Sequence, residues 1–429
     1  MRKTTHELVV DGLVPRRVER PETAEGVAEA VRRAAEVGEA VIPWGAGTKQ
    51  GLGNVPRAYD VALDLSALDQ VLEYEPADLV VTVQAGIPLA KLQERLAEAG
   101  QFFALDPPYA SRATLGGTLA ANASGPSRLL YGTARDLVLG LRVATTEGEL
   151  VKSGGRVVKN VVGYDLNKMH IGGLGTLGVI VEATLKVHPL PAAEATVLAA
   201  FRTLEPAHAV AGRIARSVLY PRAVELVHGP LDAPAGPALP APAGEAAWRV
   251  LVWAAGSPAT VDRQVRDAIA WCHEAGATEV VRLEGHEHRR LWNAVREFGR
   301  AGTNSPPGPS DSPTLLKLTC RPSQLVELVS AVERAAQTQG AAPPPMVAHA
   351  GSGVLYIAPG PLEPHQLQGL VELAAVRGGS GVIEQAPLAV RRALDVWGPT
   401  RGDFWLMQRL KQAFDPQGTL NPGRFVGRL

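Results

Sequence analysis

A chain of 429 residues is too long for one ordinary core and predicts two or three compact units. Its 43 Lys plus Arg balance 43 Asp plus Glu, so no basic field is available to recruit nucleic acid or anionic lipid. Cys272 and Cys320 are its only cysteines and stand far apart, which excludes a disulfide framework, a zinc ribbon and an iron–sulfur cluster needing about four thiolates; redox chemistry here requires another cofactor.

The opening "MRKTTHELVVDGLVPRRVERP" has no apolar run of signal-peptide length, and no later window approaches the ~20 apolar residues of a membrane span, so a cytoplasmic protein is expected. Residues 22–38 place Val27 and Val31 four apart among alanines, with charges opposite and Gly38 as a C-cap: an amphipathic helix. With "EAVIPW", "DVALDLSAL", "LEYEPADLVVTVQAG" and the helical "IPLAKLQERLAEAG", the first hundred residues read β-α-β-β-β-α. Between about 135 and 190 more strands follow, the first a hairpin through "TEGE". After Pro191 the Pro/Gly/Ala/Ser-rich stretches at 231–246 and 301–313 read as loops. They interrupt strands ("WRVLVWAAG", "TLLKLTC", "VLYIAP") alternating with helices, which predicts a separate α+β domain with an antiparallel sheet. No repeat of fixed period is visible.

Three glycine-rich segments carry the functional signal. A phosphate needs several backbone N–H groups converging on it, and glycine permits close approach and positive φ. The first segment, "PWGAGTKQGLG" at 43–53, sets Gly45, Gly47, Gly51 and Gly53 among Thr48 and Gln50, whose side chains are candidate phosphate donors; the alternative is a plain surface turn. The second, residues 106–136, places the pair Gly116–Gly117 before a small-residue helix, then Asn122 and Gly125; the alternative is a tightly packed Ala-rich helix. The third, residues 159–185, contains "GLGTLG", a literal G-x-G-x-x-G. That fingerprint should open a helix, yet "VIVEATLKVHP" after it reads as a strand, so a Rossmann site is rejected; no Walker pattern occurs either. Three such segments fit an extended dinucleotide lying between two small α/β subdomains, and FAD is the best candidate.

Taken together, "PWGAGT", "DPP" with "ATLGGTLAANASG", "VVKNVVGYDLNKMHIGGLGTLGVIVEATLKVHPLP" and "FDPQGTLNPGRF" at 414–425 resemble, in order and spacing, the vanillyl-alcohol-oxidase-like (PCMH-type) FAD-binding oxidoreductases, most of all the GlcE-type FAD-binding subunits of bacterial glycolate oxidases. The similarity is strong over about 20–190 and 395–429. It implies an FAD-binding domain over 1–190, an α+β cap over 191–395 and a C-terminal segment, 396–429, returning to the first domain. It further implies that Pro43, Trp44, Gly45, Ala46, Gly47, Thr48, Gln50 and Gly51 wrap the FAD pyrophosphate with Thr114, Gly116 and Gly117, and that Pro107 and Ala121 also bind the cofactor. Asn122, Gly125, Tyr131 and Gly132 would then lie near the phosphates and flavin, Gly178 and Ile180 near the adenine, and Asn421 and Arg424 near the active-site face. Many members attach FAD through a histidine near the first loop; this loop has none, so non-covalent FAD is expected.

In such enzymes a base, usually His, takes the hydroxyl proton of a 2-hydroxy acid, the α-hydride goes to flavin, and an Arg holds the carboxylate. His349 in "MVAHAGSGVLYIAP" resembles in part the H-x-G-D-G-N segment of related lactate and glycolate dehydrogenase subunits, although Ser352, Val354 and Tyr356 depart from it; the alternative is a structural histidine at a turn. Arg401 is a second candidate or a solvated loop residue, and Arg424 a third. His286 and His288 in "EGHEHRRLW" stand two apart, which on a helix points them to different faces and predicts a solvated surface, not a metal site. Lys159 reads as structural.

The resemblance thus implies a subunit oxidising glycolate or a similar 2-hydroxy acid, with electrons passed to a second flavoprotein or an iron–sulfur protein and any membrane attachment supplied by those partners. The alternatives are an FAD-binding electron-transfer or assembly subunit, and a stand-alone alcohol or lactone oxidase.

Overall fold

The computed structural model describes residues 4–156, 164–233, 236–239, 247–300 and 312–429. Lys159 and its "VVKNVVG" neighbours, with parts of both proline-rich stretches, lie outside them. The chain divides into two units: Met1–Ser124, Gly132–Leu190 and Asp395–Leu429 form the first, Gly125–Tyr131 and Pro191–Leu394 the second. The short segment 125–131 therefore folds with the second unit although its sequence neighbours belong to the first.

The first unit contains two small sheets. Strands β1 (Arg17–Glu19), β2 (Val41–Trp44) and β3 (Val61–Asp64) form a parallel sheet in the order β1-β3-β2. Strands β4 (Val71–Glu75) and β5 (Val80–Gln84) pair antiparallel, the tiny β6 (Gln101–Phe102) stands apart, and β7 (Val138–Ala144), β8 (Leu150–Gly154) and β9 (Val179–Lys186) complete a five-stranded antiparallel sheet ordered β4-β5-β9-β7-β8. A last short strand, β10 (His188–Pro189), pairs with β6. The expected helix runs Ala24–Glu36, with Thr23 accepting the Gly26 N–H as N-cap. Val27 and Val31 are fully buried in a cluster holding Val41, Val61 and Leu63 of the parallel sheet and Val179 and Val181 of the antiparallel one, so the helix is apolar enough to pack both sheets at once. The run "LEYEPADLVVTVQAG" makes two strands instead of one, because Pro76 opens a 3-10 turn and Leu79 takes φ 57°. The hairpin through "TEGE" forms, with Gly148 at φ +84°.

The second unit is one eight-stranded antiparallel sheet. Its strands are β11 (Ala193–Phe201), β12 (Ala223–His228), β15 (Trp248–Gly256), β16 (Glu279–Leu283), β17 (Leu315–Thr319), β18 (Met346–His349), β19 (Val354–Ile357) and β20 (Ser380–Gln385), in the order β16-β11-β15-β12-β18-β19-β17-β20. Each half of that order is a β-α-β-β-α-β module, helices Leu204–Ala215 and Pro258–Glu274 serving the first and Leu325–Thr338 and Pro364–Ala375 the second. The modules join by their second strands, β12 against β18, with Glu225 directly opposite His349. Between β12 and β15, β13 (Leu231–Ala233) and β14 (Gly236–Leu239) form a small ladder inside a stretch read as loop; buried Leu231 and Leu239 hold it in a cluster with helix Gly285–Arg296.

Candidate functional site: a glycine-walled groove and a buried His–Glu pair

The first glycine loop leaves β2 and is fixed from far along the chain. Arg424, 4% exposed, donates from Nη1 to Gln50 Oε1 (2.7 Å) and Asn421 Oδ1 (3.1 Å), and from Nη2 to the carbonyls of Gln50 (2.6 Å) and Leu52 (3.0 Å). Gln50 Nε2 donates to the Pro43 carbonyl (2.9 Å). The Gln50 amide, expected to face a phosphate, is thus spent on the loop itself, and Arg424, expected at the catalytic face, is bound up in holding it. Asn421 (φ 47°) donates to the Leu174 carbonyl at 2.6 Å, and the buried Lys411 ammonium bridges the Thr176 and Leu420 carbonyls (2.9 Å each) and Asp415 (2.6 Å). Burial pushes the Lys411 ammonium below the usual lysine range. The C-terminal segment therefore ties the first glycine segment to the third. The second segment joins through Gly45, where an added Cβ would stand 2.0 Å from Thr114 Oγ1, and through Leu174 N–H donating to the Ala120 carbonyl at 2.9 Å.

The result is a cleft of about 490 Å³ lined by Pro43, Gly45, Ala46, Gly47, Thr48, Gln50, Thr114, Gly117 and Ala121, all expected at the cofactor, by Asn421 and Arg424, expected near the active-site face, and by Lys49, Ala120 and Leu174. A second cleft of about 470 Å³ shares Pro43, Gly45, Thr114, Gly117, Ala120 and Leu174 with it and adds Trp44, Gly116 and Ile180 on a more apolar wall with Leu65 and Val179. Among the described residues the N–H groups of Ala46, Gly47, Thr48 and Gly117 donate to no protein atom. Four unpaired donors around one groove, with Gly47 at φ +76°, match a pyrophosphate, and the apolar extension matches a ring. The residues present therefore fit a dinucleotide.

Other expected residues lie elsewhere. Gly51 has open space around it, Pro107 is buried, Asn122 (φ 46°) backs onto Gly172, Gly132 (φ +83°) closes over Asp136, and Gly178 leads directly into β9. Gly125 and Tyr131 fold with the second unit. Arg401 is exposed ahead of helix Phe404–Phe414.

In the second unit the junction of the two modules holds a buried, hydrogen-bonded His–Glu couple. His349 (5% exposed) meets Glu225 (1% exposed), Nδ1 lying 2.7 Å from both carboxylate oxygens. The carboxylate accepts the Nδ1 proton and thereby leaves Nε2 as the acceptor nitrogen; Nε2 is buried and, among the described residues, has no hydrogen-bond partner. Tyr356 packs its ring edge-on to the imidazole at 5.6 Å.

A second cluster centres on Arg222, whose Nε donates to Ser127 Oγ and Nη1 to Glu194, both at 2.8 Å. The guanidinium lies 4.0 Å over Trp253 and 5.7 Å over Tyr131. Burial holds the Tyr131 phenol above its usual range. Trp253 stacks on Trp292 at 4.7 Å, and Trp292 Nε1 donates to Thr196 Oγ1, which bonds His288 Nδ1 at 2.8 Å. His288, expected on a solvated surface, is 3% exposed; its helix turns Leu291, Trp292 and Val295 inward, and His288 goes with them. Burial keeps its imidazole below the ordinary pKa. No metal-ligand group of three exists among the described residues. Arg222 and Glu225 escaped the sequence reading, although two charges three residues apart in the otherwise apolar, strand-like run "PRAVELVH" were their visible signal.

Residues 15–154 match the FAD binding domain family, and residues 190–362 with 400–425 match the C-terminal domain of FAD linked oxidases. An uncharacterised FAD-linked oxidoreductase of Mycobacterium tuberculosis is 30% identical over 95% of this chain and 90% of its own length. The glycolate oxidase subunit GlcD of Bacillus subtilis is 26% identical over 90% and 84%. The glycolate oxidase subunit GlcE of Escherichia coli is 42% identical, over 30% of this chain and 38% of its own. A solved alkyldihydroxyacetonephosphate synthase shares the fold at TM-score 0.68 and 18% identity, over 95% of this chain and 76% of that one. No helix among the described residues is long and apolar enough to cross a membrane.

Proposed function

Because the chain belongs to the PCMH-type FAD-linked oxidoreductases, we propose that it oxidises glycolate or a similar 2-hydroxy acid to the 2-oxo acid and passes the electrons to a partner subunit. The observation that carries the reading is the His349–Glu225 pair. Glu225 fixes the imidazole tautomer and orientation, and Nε2 accepts the substrate hydroxyl proton; the imidazolium so formed is stabilised by the adjacent carboxylate. Bound FAD supplies the acceptor for the hydride on the carbinol carbon. The unpaired N–H groups of Ala46, Gly47, Thr48 and Gly117 hold its pyrophosphate, and with no histidine in residues 43–53 the cofactor is held without a covalent bond. Arg401 is proposed for the substrate carboxylate; Arg424 is a positioning residue for the first loop. Two cysteines are too few for a cluster, so the electrons go to a second flavoprotein or an iron–sulfur protein.

Anaerobic titration of the flavin-loaded chain with glycolate and D-lactate tests this. Bleaching near ~450 nm, flavin's own band, supports it, and loss of bleaching in His349→Gln with flavin content unchanged assigns the base. Ser352, Val354 and Tyr356, which depart from the histidine motif of related subunits, favour the second reading of an electron-transfer or assembly subunit. That reading expects bound flavin that no hydroxy acid bleaches.

A further inference from the structure

The one residue of helix Phe404–Phe414 that is buried is Lys411, 9% exposed. Trp405, Leu406 and Met407 are 55%, 48% and 38% exposed, the reverse of what an amphipathic helix does against its own core. Leu406, Met407 and Leu410 share a flank by helical spacing. Beside that flank opens a recess of about 790 Å³ whose apolar wall is Met169, Ile171, Leu177, Met407, Leu410 and Phe425. Two of the chain's four methionines meet there, and thioethers suit a wall that must adapt to an incoming side chain. Arg135 and Lys168 are exposed at its edge, the Arg135 guanidinium anchored on the Lys168 carbonyl at 2.9 Å and the Lys168 ammonium paired with Asp165 at 3.1 Å, and among the described residues no Asp or Glu lines the recess itself. Lys411 adds no net charge, since Asp415 neutralises it. On the outer side Arg409 lies 5.9 Å over the Trp405 ring.

We propose that this face is the docking surface for a partner protein, which inserts an apolar segment flanked by Asp or Glu. Exposed Trp, Met and Arg around a recess without acids is the composition of an interface centre. Charge selects the occupant: a second copy would bring Arg135 and Arg409 against their own counterparts, whereas an acidic flank pairs with them. A recess walled on several sides takes a side-chain anchor, while a lipid surface calls for a flat or convex apolar face. The inference deepens the proposed hand-over of electrons and rests on it only for the partner's redox role.

The test places a photoreactive benzophenone side chain at position 406 of the full, flavin-loaded chain in its own host and sequences what it captures. The expected product is an apolar segment with flanking Asp or Glu from another protein, reduced at least tenfold by Met407→Glu and by Arg135→Glu. Capture of a second copy, capture of lipid, no capture, or capture indifferent to both substitutions overturns the proposal. Flavin absorbance and hydroxy-acid bleaching of the two variants stay as in the parent. If the parent itself fails to bleach while an acid-flanked segment is captured, the proposed oxidation falls and the docking surface stands.

Discussion

The two units express function in different chemical terms. In the first, the binding surface is backbone: unpaired N–H groups, glycines at positive φ, and a buried Arg–Asn–Lys framework whose side chains hold loops in place. In the second, side chains themselves form the candidate chemistry, and they do so where two similar modules meet, Glu225 from one and His349 from the other. A backbone site is damaged by filling it, and a side-chain site by changing one atom type.

The sharpest way to break this comparison is a near-isosteric change in the second unit. Glu225→Gln keeps an acceptor for Nδ1–H but removes the charge that stabilises the imidazolium. Its rate of flavin reduction by hydroxy acid should fall on the order of 10²-fold or more with KM and the flavin spectrum unchanged. Stopped-flow reduction measures it, and an unchanged rate would return Glu225 to a purely structural role.

Next in size is an effect of pH on the first unit. His170 is 8% exposed, and burial lowers its pKa from 6.5 to about 4. The folded state therefore resists a proton that the unfolded chain accepts. The stabilisation is full above pH 6.5 and is lost as pH falls toward 4, amounting to about 3 kcal/mol across that window. Thermal unfolding from pH 7 to 4 should show this slope, and His170→Leu should flatten it.

A smaller effect comes from filling the groove. Among the described residues outside its own helix, a Cβ at Gly117 would meet Thr114 Oγ1 at 3.3 Å, a contact that a small rotation of the hydroxyl relieves, so Gly117→Ala narrows the groove with little strain in the fold. Flavin affinity should drop by about 1.4–2.8 kcal/mol, roughly ten- to a hundredfold, with the unfolding temperature of the apoprotein nearly unchanged. Flavin fluorescence titration would show it.

Least affected is the scaffold. Thr82 and Thr184 face each other across β5 and β9 with hydroxyls 3.0 Å apart, and Thr184→Val should cost under about 1 kcal/mol in chemical denaturation and leave flavin content alone.

The first unit was the more legible of the two because its signals are local. Gly45, Gly47, Gly116 and Gly117 announce a close backbone approach wherever they occur, and the β-branched run after Gly178 excluded a helix without any knowledge of tertiary contacts. The fastening was not legible: Arg424 reaches Gln50 across a separation of 374 residues, and no pattern in either stretch records it. In the second unit a single strand shows only that Glu225 breaks an apolar run; its meaning comes from a partner 124 residues away. His288 was misplaced because charged neighbours on its helix outweighed the inward-facing Leu291, Trp292 and Val295 in the reading. The duplicated module left no repeat in the sequence because its topology, not its residues, recurs.

The path of the chain sets a timetable for synthesis. Residues 43–53 emerge from the ribosome early, but Asn421 and Arg424, which lock them, emerge only after the whole second unit has been made. Domains fold as units while the chain is still growing. The nascent first unit therefore waits with an unfastened groove until residues 421–424 have been made, and a chain cut before them should hold flavin more weakly than the parent.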